Sequence, residues 1–352
     1  MVNRDVKKVP GISTKAGMLF ALREKKGESV SGGVLACELG VSRVAVWKGI
    51  QSLIGAGYSV KASDSGYSLD PLKDGDYLYP WEFGPDESNF RYYESTGSTM
   101  DRAREFVVRK SRTVVIAGKQ TAGRGRNGRS WVSGKGGLFC TITDRPDRDG
   151  PGMVLADYSL PVMIFQIAVA RVITTLCGKR AKLRWPNDVY IGGRKIAGIM
   201  TELEGEGNFI NRLATGIGVN VNNTAPSPRA VSCRDIAGHE VSRRDVLLQI
   251  IGESEKIKKQ TCSDTAYSQG NRLLAAEWNS VADCFGAKAA VISSGNGGRD
   301  LGGTQDESGG WILARGIFNG IDPAGRCIIK SENGRSSMFF NPGSVSMLFL
   351  NK

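Results

Sequence analysis

The stretch KLRWPNDVYIGGRKIAGI, residues 182–199, contains the turn that decides how this part of the chain folds. Its first strand-like run ends at Pro186, because proline cannot donate a hydrogen bond within a sheet. The pair Gly192–Gly193 is typical of a tight β-hairpin turn. A hairpin would bring Lys195 back beside Asp188, which precedes it by seven residues. The stretch therefore predicts two antiparallel strands that place a carboxylate and an ammonium group close together.

The residues after the first strand indicate phosphate chemistry. Asn187 and Asp188 offer an amide beside a carboxylate, a ligand pair suited to a magnesium ion that also holds phosphates. Lys195 could neutralise negative charge that builds on a phosphoryl oxygen. Taken alone, the same residues are more often an ordinary turn followed by a solvated lysine.

A second stretch, GKQTAGRGRNGRSW at residues 118–131, combines glycine with positive charge. Glycines let a backbone approach a ligand closely, and arginines present forks of donors that match carboxylates and phosphates. Trp131 could stack on a purine. Arginine- and glycine-rich tails that bind nucleic acid are repeated and disordered, whereas this loop occurs once, between two strand patterns. It is thus predicted to close over a nucleotide and a small acid. Its cations lie within eleven residues: Lys119, Arg124, Arg126 and Arg129.

The third stretch, TGIGVNVNN at residues 215–223, reads as a strand with space beside it. Gly216 and Gly218 would leave room for a ligand against the strand, and Asn220 could donate a hydrogen bond to it. This signal is weak by itself.

The first part of the chain, residues 12–70, shows three short helix patterns followed by a hairpin pattern. Ser31 and Ser42 are placed as N-caps of the second and third helices. The third helix has apolar residues at spacings of four and three, which predict its buried face: Val46, Ile50, Leu53 and Ile54. The opposite face carries the candidate DNA contacts: Arg43, Trp47, Lys48 and Gln51. This pattern favours a winged helix-turn-helix whose third helix enters the major groove, with a small protein-docking module as the alternative.

The remaining patterns predict an α+β chain in three parts. We expect a DNA-binding domain over residues 1–75, a catalytic domain over 76–284 and a C-terminal domain over 285–352. Residues 71–89, rich in proline, glycine and acid, are interpreted as a linker or entry segment. In the C-terminal part, short strand patterns alternate with glycine-rich turns, as in a small barrel or sandwich, and residues 294–310 are predicted to be a mobile hairpin loop.

Composition narrows the classes of function. The chain has 352 residues and a net charge of +12, which favours an anionic partner. Its seven cysteines contain no CxxC pair, and His239 is its one histidine, so a disulfide framework, a zinc site and catalysis by a Ser-His or Cys-His pair are not expected. No apolar run is expected to span a membrane, and the N-terminus lacks the apolar stretch of a secretory signal. These features predict a cytoplasmic protein that does not associate with a membrane.

The motifs GRGRNGRSW, RWPNDVY, RKIAGI and GIGVNV, in this order and spacing, resemble those of the biotin protein ligases. The leading unit GVSRVAVWKGIQSL…GYSL is similar to the operator-binding domain of the bifunctional members, which also repress transcription. The resemblance implies a winged helix-turn-helix, a class II synthetase-like α+β ligase domain and an SH3-like β-barrel. It also implies an activity: biotin is activated by ATP as biotinyl-5′-AMP and transferred to a lysine of a biotin carboxyl carrier protein. The implied partners are that carrier, operator DNA and a second copy of the chain in a homodimer.

The resemblance also gives roles to single residues. Catalysis is expected from Lys195, Arg126 and Asp188, the last as a Mg²⁺ ligand. The expected biotin contacts are Ser98, Thr99, Met100, Gln120, Arg124, Gly125, Arg126, Lys195 and Gly198. The expected ATP contacts are Arg124, Arg126, Trp131, Asn187, Lys195 and Asn220.

Two positions depart from the family pattern. Arg184 stands where a lysine is common, and Met100 stands where an asparagine is common. Two other functions stay open: a biotin-sensing transcription regulator without ligase activity, and lipoate ligation on the same general fold. The retained Lys195, Asp188 and Arg126 argue against the first, and the arginine–glycine loop argues against the second.

Overall fold

The computed structural model describes residues 12–106, 112–144, 159–206, 209–261, 267–293, 304–305, 311–343 and 345–349. The chain divides into two units, Met1–Tyr92 and Tyr93–Lys352. The domain limits proposed from the sequence, at residues 75 and 284, stay predictions.

The first unit has the predicted order of three helices and a hairpin. Serine side chains cap the helices, because the hydroxyls of Ser13, Ser31 and Ser42 each accept a hydrogen bond from a backbone N–H three residues on. The hairpin strands pair from Val60 with Leu69 to Ser63 with Gly66. The elements are α1 Thr14–Glu24, α2 Gly32–Leu39, α3 Arg43–Gly55, β1 Val60–Ser63 and β2 Gly66–Leu69.

The buried face of α3 is nearly as predicted. Val46, Ile50 and Leu53 are fully buried in the core of this unit. Ile54 was wrongly predicted to join them, since 38% of its surface is exposed. It lies in the last turn of the helix, where a step of 100° beyond Leu53 turns the side chain away from α1.

Residues 71–89 contribute structure to the first unit. They form two 3₁₀ segments, Pro71–Lys73 and Pro80–Asn89, the second interrupted at Gly84. The buried carboxylate of Glu82 receives Nη1 of Arg23 at 2.8 Å and also the hydroxyl of Tyr58. The segment interpreted as a linker is therefore tied to α1 by an ion pair between the buried Glu82 and the partly exposed Arg23.

The second unit is built on a seven-stranded sheet. Its strand order is β3-β4-β5-β9-β8-β7-β6, and β4, β5, β9, β8, β7 and β6 pair antiparallel in that order. The predicted hairpin through Gly192–Gly193 is confirmed as β7–β8. The strands are β3 Phe90–Thr96, β4 Thr113–Gln120, β5 Leu138–Asp144, β6 Ala181–Arg184, β7 Asp188–Ile191, β8 Arg194–Glu206 and β9 Phe209–Val219.

The long apolar helix of this unit is a core helix, α5 Leu160–Cys177. Contrary to the expectation from sequence, it is long and apolar enough to cross a membrane by length and composition, but 72% of it is buried inside the protein. It packs on β6, β7, β8 and three other helices of the unit, so its apolar composition is explained by burial on all sides. The other helices are α4 Thr99–Ala103, α6 Cys233–Ala237, α7 Arg243–Thr261 and α8 Tyr267–Ser280.

The C-terminal part is all-β, as expected. Its strands follow the order β14-β13-β12-β10-β15, with β11 paired to β12. Except for β11, the predicted loop at residues 294–310 lies outside the described residues. The strands are β10 Lys288–Ser293, β11 Thr304–Gln305, β12 Trp311–Ile321, β13 Cys327–Lys330, β14 Ser337–Phe340 and β15 Val345–Phe349. The N-terminal winged helix, the central α+β fold and the C-terminal sheet thus confirm the predicted fold class.

Candidate active site

A cavity of about 380 Å³ in the second unit gathers the motifs that the sequence keeps apart. Its walls come from the α4 end of β3, the arginine–glycine loop after β4, the β7–β8 hairpin, β9 and β15. The predicted site residues on its wall are Ser98, Thr99, Met100, Gln120, Arg124, Gly125, Arg126, Trp131, Asn187, Asp188, Lys195 and Gly198.

The predicted approach of Lys195 to Asp188 is present. Nζ of Lys195 lies 2.7 Å from Oδ1 of Asp188, and both side chains are mostly buried. Tyr190 pairs with Lys195 across the hairpin, and Tyr190 lies two residues from Asp188, so all three side chains project from one face of the sheet. The pair places one positive and one negative group on the cavity wall.

Asn187 has a structural bond of its own. Its Nδ2 donates to the carbonyl of Ile199 at 2.8 Å, and the N–H of Ile199 donates to the carbonyl of Asn187 at 2.9 Å. These two bonds fix the turn before Asp188 against β8. The amide nitrogen of Asn187 is therefore engaged with the backbone.

A hydrogen-bonded chain of side chains holds the start of α4 against β4 and β5. Oε1 of Gln120 accepts the backbone N–H of Thr99 at 2.7 Å and its hydroxyl at 3.1 Å. Thr141 donates to the hydroxyl of Thr99 at 2.9 Å, and Nε2 of Gln120 donates to Ser133 at 2.8 Å. Sequence reasoning found Thr99 and Gln120 but missed Thr141 and Ser133, which are common residue types with no motif around them. The network fixes this wall of the cavity.

The indole of Trp131 lies against two glycines of the sheet. Gly198 and Gly218 are directly paired on β8 and β9. A Cβ added at Gly218 would lie 2.6 Å from the indole, and one at Gly198 would lie 2.9 Å from it. Nζ of Lys195 lies 5.2 Å from the centre of the same ring. The predicted room beside these glycines exists, and Trp131 fills it.

Met100 uses the space beside the remaining glycine of this strand. A Cβ at Gly216 would lie 2.8 Å from Sδ of Met100, which is buried. An apolar thioether thus occupies the position where the family commonly has a polar amide. The cavity wall at this point is apolar and closely packed.

Arg124 is held at the rim by two acids. Its Nη2 lies 2.8 Å from Asp101 and 3.3 Å from Glu202. The charge that the sequence offers to a ligand is therefore balanced by neighbouring carboxylates.

Arg126 binds backbone carbonyls of the C-terminal part. Its Nη2 donates to the carbonyls of Pro342, of Gly343 at 2.7 Å and of Val345 at 3.2 Å. The loop around it includes a left-handed residue, Asn127, at φ 56°. Arg126 thus links the loop to the segment that precedes β15.

Arg184, the position where the family commonly has lysine, forms an ion pair with Asp283. Its Nε donates to Oδ2 of Asp283 at 3.0 Å, and its guanidinium lies 3.6 Å from the ring centre of Tyr190. Burial by itself would raise the pKa of Asp283, but hydrogen bonds and the charge of Arg184 outweigh it and hold that pKa below its usual range. The arginine fork suits this planar arrangement better than a lysine would.

Asn220 does not line the cavity. Its side chain is buried, and its Oδ1 accepts from Nδ2 of Asn223 at 3.0 Å. Its backbone N–H donates to the carbonyl of Ile196, and its carbonyl accepts the backbone N–H of Cys233. In this arrangement Asn220 supports the fold behind the cavity, and a direct ATP contact stays a prediction.

In the first unit, the predicted DNA-binding residues lie together on α3. Arg43, Trp47, Lys48 and Gln51 are all exposed. The guanidinium of Arg43 lies over the first turn of α2, since a Cβ at Gly33 would be 3.1 Å from its Nη2. The face opposite the buried residues of α3 therefore presents two cations, Arg43 and Lys48, together with the indole of Trp47 and the amide of Gln51.

The fold and the cavity define a ligase class. Residues 92–220 match the Biotin/lipoate A/B protein ligase family, and residues 16–68 match an HTH domain. The chain is 32% identical over 238 residues to the bifunctional ligase/repressor BirA of Bacillus subtilis. The alignment covers 64% of this chain and 72% of that protein. It is 31% identical over 226 residues to the biotin–[acetyl-CoA-carboxylase] ligase of Paracoccus denitrificans, covering 63% of this chain and 85% of that protein.

Among solved structures, the biotin protein ligase of Aquifex aeolicus in complex with biotin and ATP has the same fold. It aligns with a TM-score of 0.59 over 74% of this chain and 99% of that one, at 23% identity. The chain belongs to the biotin protein ligases of the Biotin/lipoate A/B protein ligase family, with the helix-turn-helix domain of the bifunctional ligase/repressors.

Proposed function

We propose that this protein is an ATP-dependent ligase that converts biotin to biotinyl-5′-AMP and transfers the biotinyl group to a lysine of a biotin carboxyl carrier protein. One observation carries the proposal: Lys195 and Asp188 meet on the wall of the same cavity as the arginine–glycine loop and the paired glycines. The relatives named as biotin ligases support the same substrate.

The first half-reaction joins two anions. A carboxylate oxygen of biotin attacks the α-phosphorus of ATP, a new P–O bond forms, and the bond to the β-phosphate breaks as pyrophosphate leaves. The ammonium of Lys195 offsets the repulsion between the reactants and the charge that develops on the α-phosphoryl oxygens. Asp188 positions that ammonium at 2.7 Å. The cavity thus supplies charge and orientation together.

The second half-reaction consumes a mixed anhydride. The lysine amine of the carrier attacks the acyl carbon, an amide forms, AMP leaves and the amine loses a proton. Water would destroy the same intermediate, so a closed loop protects it. Arg126 is suited to holding the loop shut, because it already spans to the carbonyls of Pro342 and Gly343.

Trp131 would have to move for a ligand to lie on the paired glycines. The indole now covers Gly198 and Gly218, and its buried Nε1 has no hydrogen-bond partner among the described residues. An unpaired buried N–H is unfavourable, which lowers the cost of displacing the ring. We propose that the displaced indole stacks on the adenine of the nucleotide.

Magnesium would be held by Asp188 together with the phosphates of ATP. The described residues include no group of three or more His, Cys, Asp or Glu side chains that could hold a metal. Magnesium commonly uses one or two carboxylates with substrate phosphates, so one carboxylate fits. The ion would neutralise phosphate charge when bound.

The decisive experiment measures pyrophosphate release from ATP with and without biotin, followed by transfer of labelled biotin to a carrier domain. We expect release that depends on biotin and label on one lysine. Binding of biotin without pyrophosphate release would favour the sensor without ligase activity. Preference for lipoate over biotin in competition would favour lipoate ligation.

A second function, repression of transcription at an operator, is favoured by the first unit. The HTH match, the exposed face of α3 and the relatives named ligase/repressor support it. We propose a cytoplasmic protein that acts on DNA as a homodimer, with two α3 helices about 34 Å apart on a palindromic site. Band-shift assays with and without biotin plus ATP, alongside sedimentation, would test the link. Absence of any binding to DNA would contradict it.

A further inference from the structure

The outer face of α3 presents two large apolar side chains. Val44 is 61% exposed and Trp47 is 54% exposed. They are three residues apart and so lie one above the other on the helix. An exposed apolar pair of this kind indicates a partner surface.

The surroundings of this pair are cationic and polar. The sequence of α3, RVAVWKGIQSLIG, contains Arg43 and Lys48 and no acid. Gln51, which is also exposed, lies one turn beyond Trp47. An apolar protein surface would bury these polar groups without partners, which is costly. A polyanion suits the cations of this face better, provided that it also carries small apolar groups that Val44 and Trp47 can contact.

The major groove of B-DNA is such a surface. Phosphates line its rims, and among the groups on its base edges the thymine C5-methyl is apolar. We propose that Val44 and Trp47 read thymine methyl groups and so set the sequence preference of this protein. The inference rests on the proposed binding to DNA and adds the chemical identity of the bases that are read.

In the first step of the test, the full-length protein selects binding sites from a library of random DNA duplexes that contain thymine. Sites enriched by the protein are resynthesised with deoxyuridine at each thymine in turn, which removes one methyl group and leaves pairing intact. We expect about fourfold weaker binding for each contacted methyl, the effect of one buried carbon. Deoxyuridine at thymines outside the protected region is the DNA control.

Variants supply the protein side of the test. Val44→Ala and Trp47→Ala should each abolish the difference between thymine and deoxyuridine at the thymine that the altered side chain contacts, and the double variant should abolish it at both. Phe20→Ala, which alters an equally exposed side chain on α1, should keep the difference. Equal affinity of the unaltered protein for both kinds of site would overturn the inference while binding to DNA stands. A library that shows no enrichment would overturn the DNA-binding proposal itself, and this inference with it.

Discussion

Nζ of Lys195 lies 2.7 Å from Oδ1 of Asp188, on the face of the β7–β8 hairpin that lines the cavity. The strands shift register between Val189 and Tyr190, so that Asp188 pairs with Gly198 and Tyr190 pairs with Lys195. This bulge puts Gly198, a residue without a side chain, opposite the carboxylate. The same hairpin thus supplies a charge pair and a strip of backbone without side chains, against which the indole of Trp131 lies.

Replacing Lys195 tests the charge pair. Lys195→Gln should lower biotin-dependent pyrophosphate release by about 10²–10³-fold, the effect of losing one donor to developing charge. Lys182→Gln is the matched control, because Lys182 is an exposed lysine of β6 in the same sheet and does not line the cavity. A loss smaller than threefold in the Lys195 variant would remove it from the mechanism.

Replacing Arg126 tests the closure of the loop. Arg126→Gly removes the bonds to the carbonyls of Gly343 and Val345. We expect the folded protein to release biotinyl-5′-AMP early, seen as free adenylate and as biotin on bystander lysines. Arg126→Lys, which keeps charge but loses the fork, should lie in between. An unchanged lifetime of the bound adenylate would refute this role.

A double substitution tests whether the ligand or the indole of Trp131 requires a glycine at position 218. In Gly218→Ala the new Cβ would lie 2.6 Å from the indole of Trp131, and we expect at least tenfold weaker binding of biotin. If the ligand itself lies on this strand, the loss should persist in the Trp131→Ala background. Recovery there would mean that the glycine serves only the indole. Titration calorimetry measures biotin binding in both backgrounds, and Gly252→Ala is the control, because a Cβ added at Gly252 would meet no neighbouring atom within 4 Å.

The pair of Arg184 and Asp283 predicts how stability depends on pH. Despite burial, which alone would raise it, the pKa of Asp283 is lowered by Arg184. Its contribution is therefore fully present above the unfolded pKa of about 3.9 and is lost as pH falls through the lower folded pKa. In urea unfolding measured between pH 7 and pH 2, the free energy of unfolding of Asp283→Asn should fall less steeply with decreasing pH than that of the unaltered protein. Glu332→Gln, which removes the exposed pair with Lys288, should leave the slope as it is.

Because Glu82 is buried and bonded to Arg23 and Tyr58, we expect residues beyond 75 to stabilise the first unit. Glu82→Gln weakens the bonds that Glu82 accepts from Arg23 and Tyr58. The substitution should lower the free energy of unfolding by about 1–3 kcal/mol. Hydrogen exchange in α1 would detect it. Asp86→Asn, at an exposed position of the same segment, is the control. Equal protection of α1 in both variants would mean that the segment is only a linker.

Local patterns predicted much of this fold, because caps and turns depend on neighbouring residues. Ser31, Ser42 and Gly192–Gly193 stand where the sequence placed them. Glu82 shows the limit: its partners lie 24 and 59 residues away, and no local pattern signals such a pair. Thr141 and Ser133 were missed for the same reason.

The sequence by itself determined that Lys195 faces Asp188, because a two-residue turn fixes which residues of a hairpin share a face. Only the tertiary structure decided that Gly198 rather than Ala197 stands opposite Asp188, since a bulge changes register without changing the alternation of residue types. It also decided that Trp131 lies on Gly198 and Gly218 and that Arg126 reaches the segment before β15. These contacts join parts of the chain that are distant in sequence, so packing alone selects them.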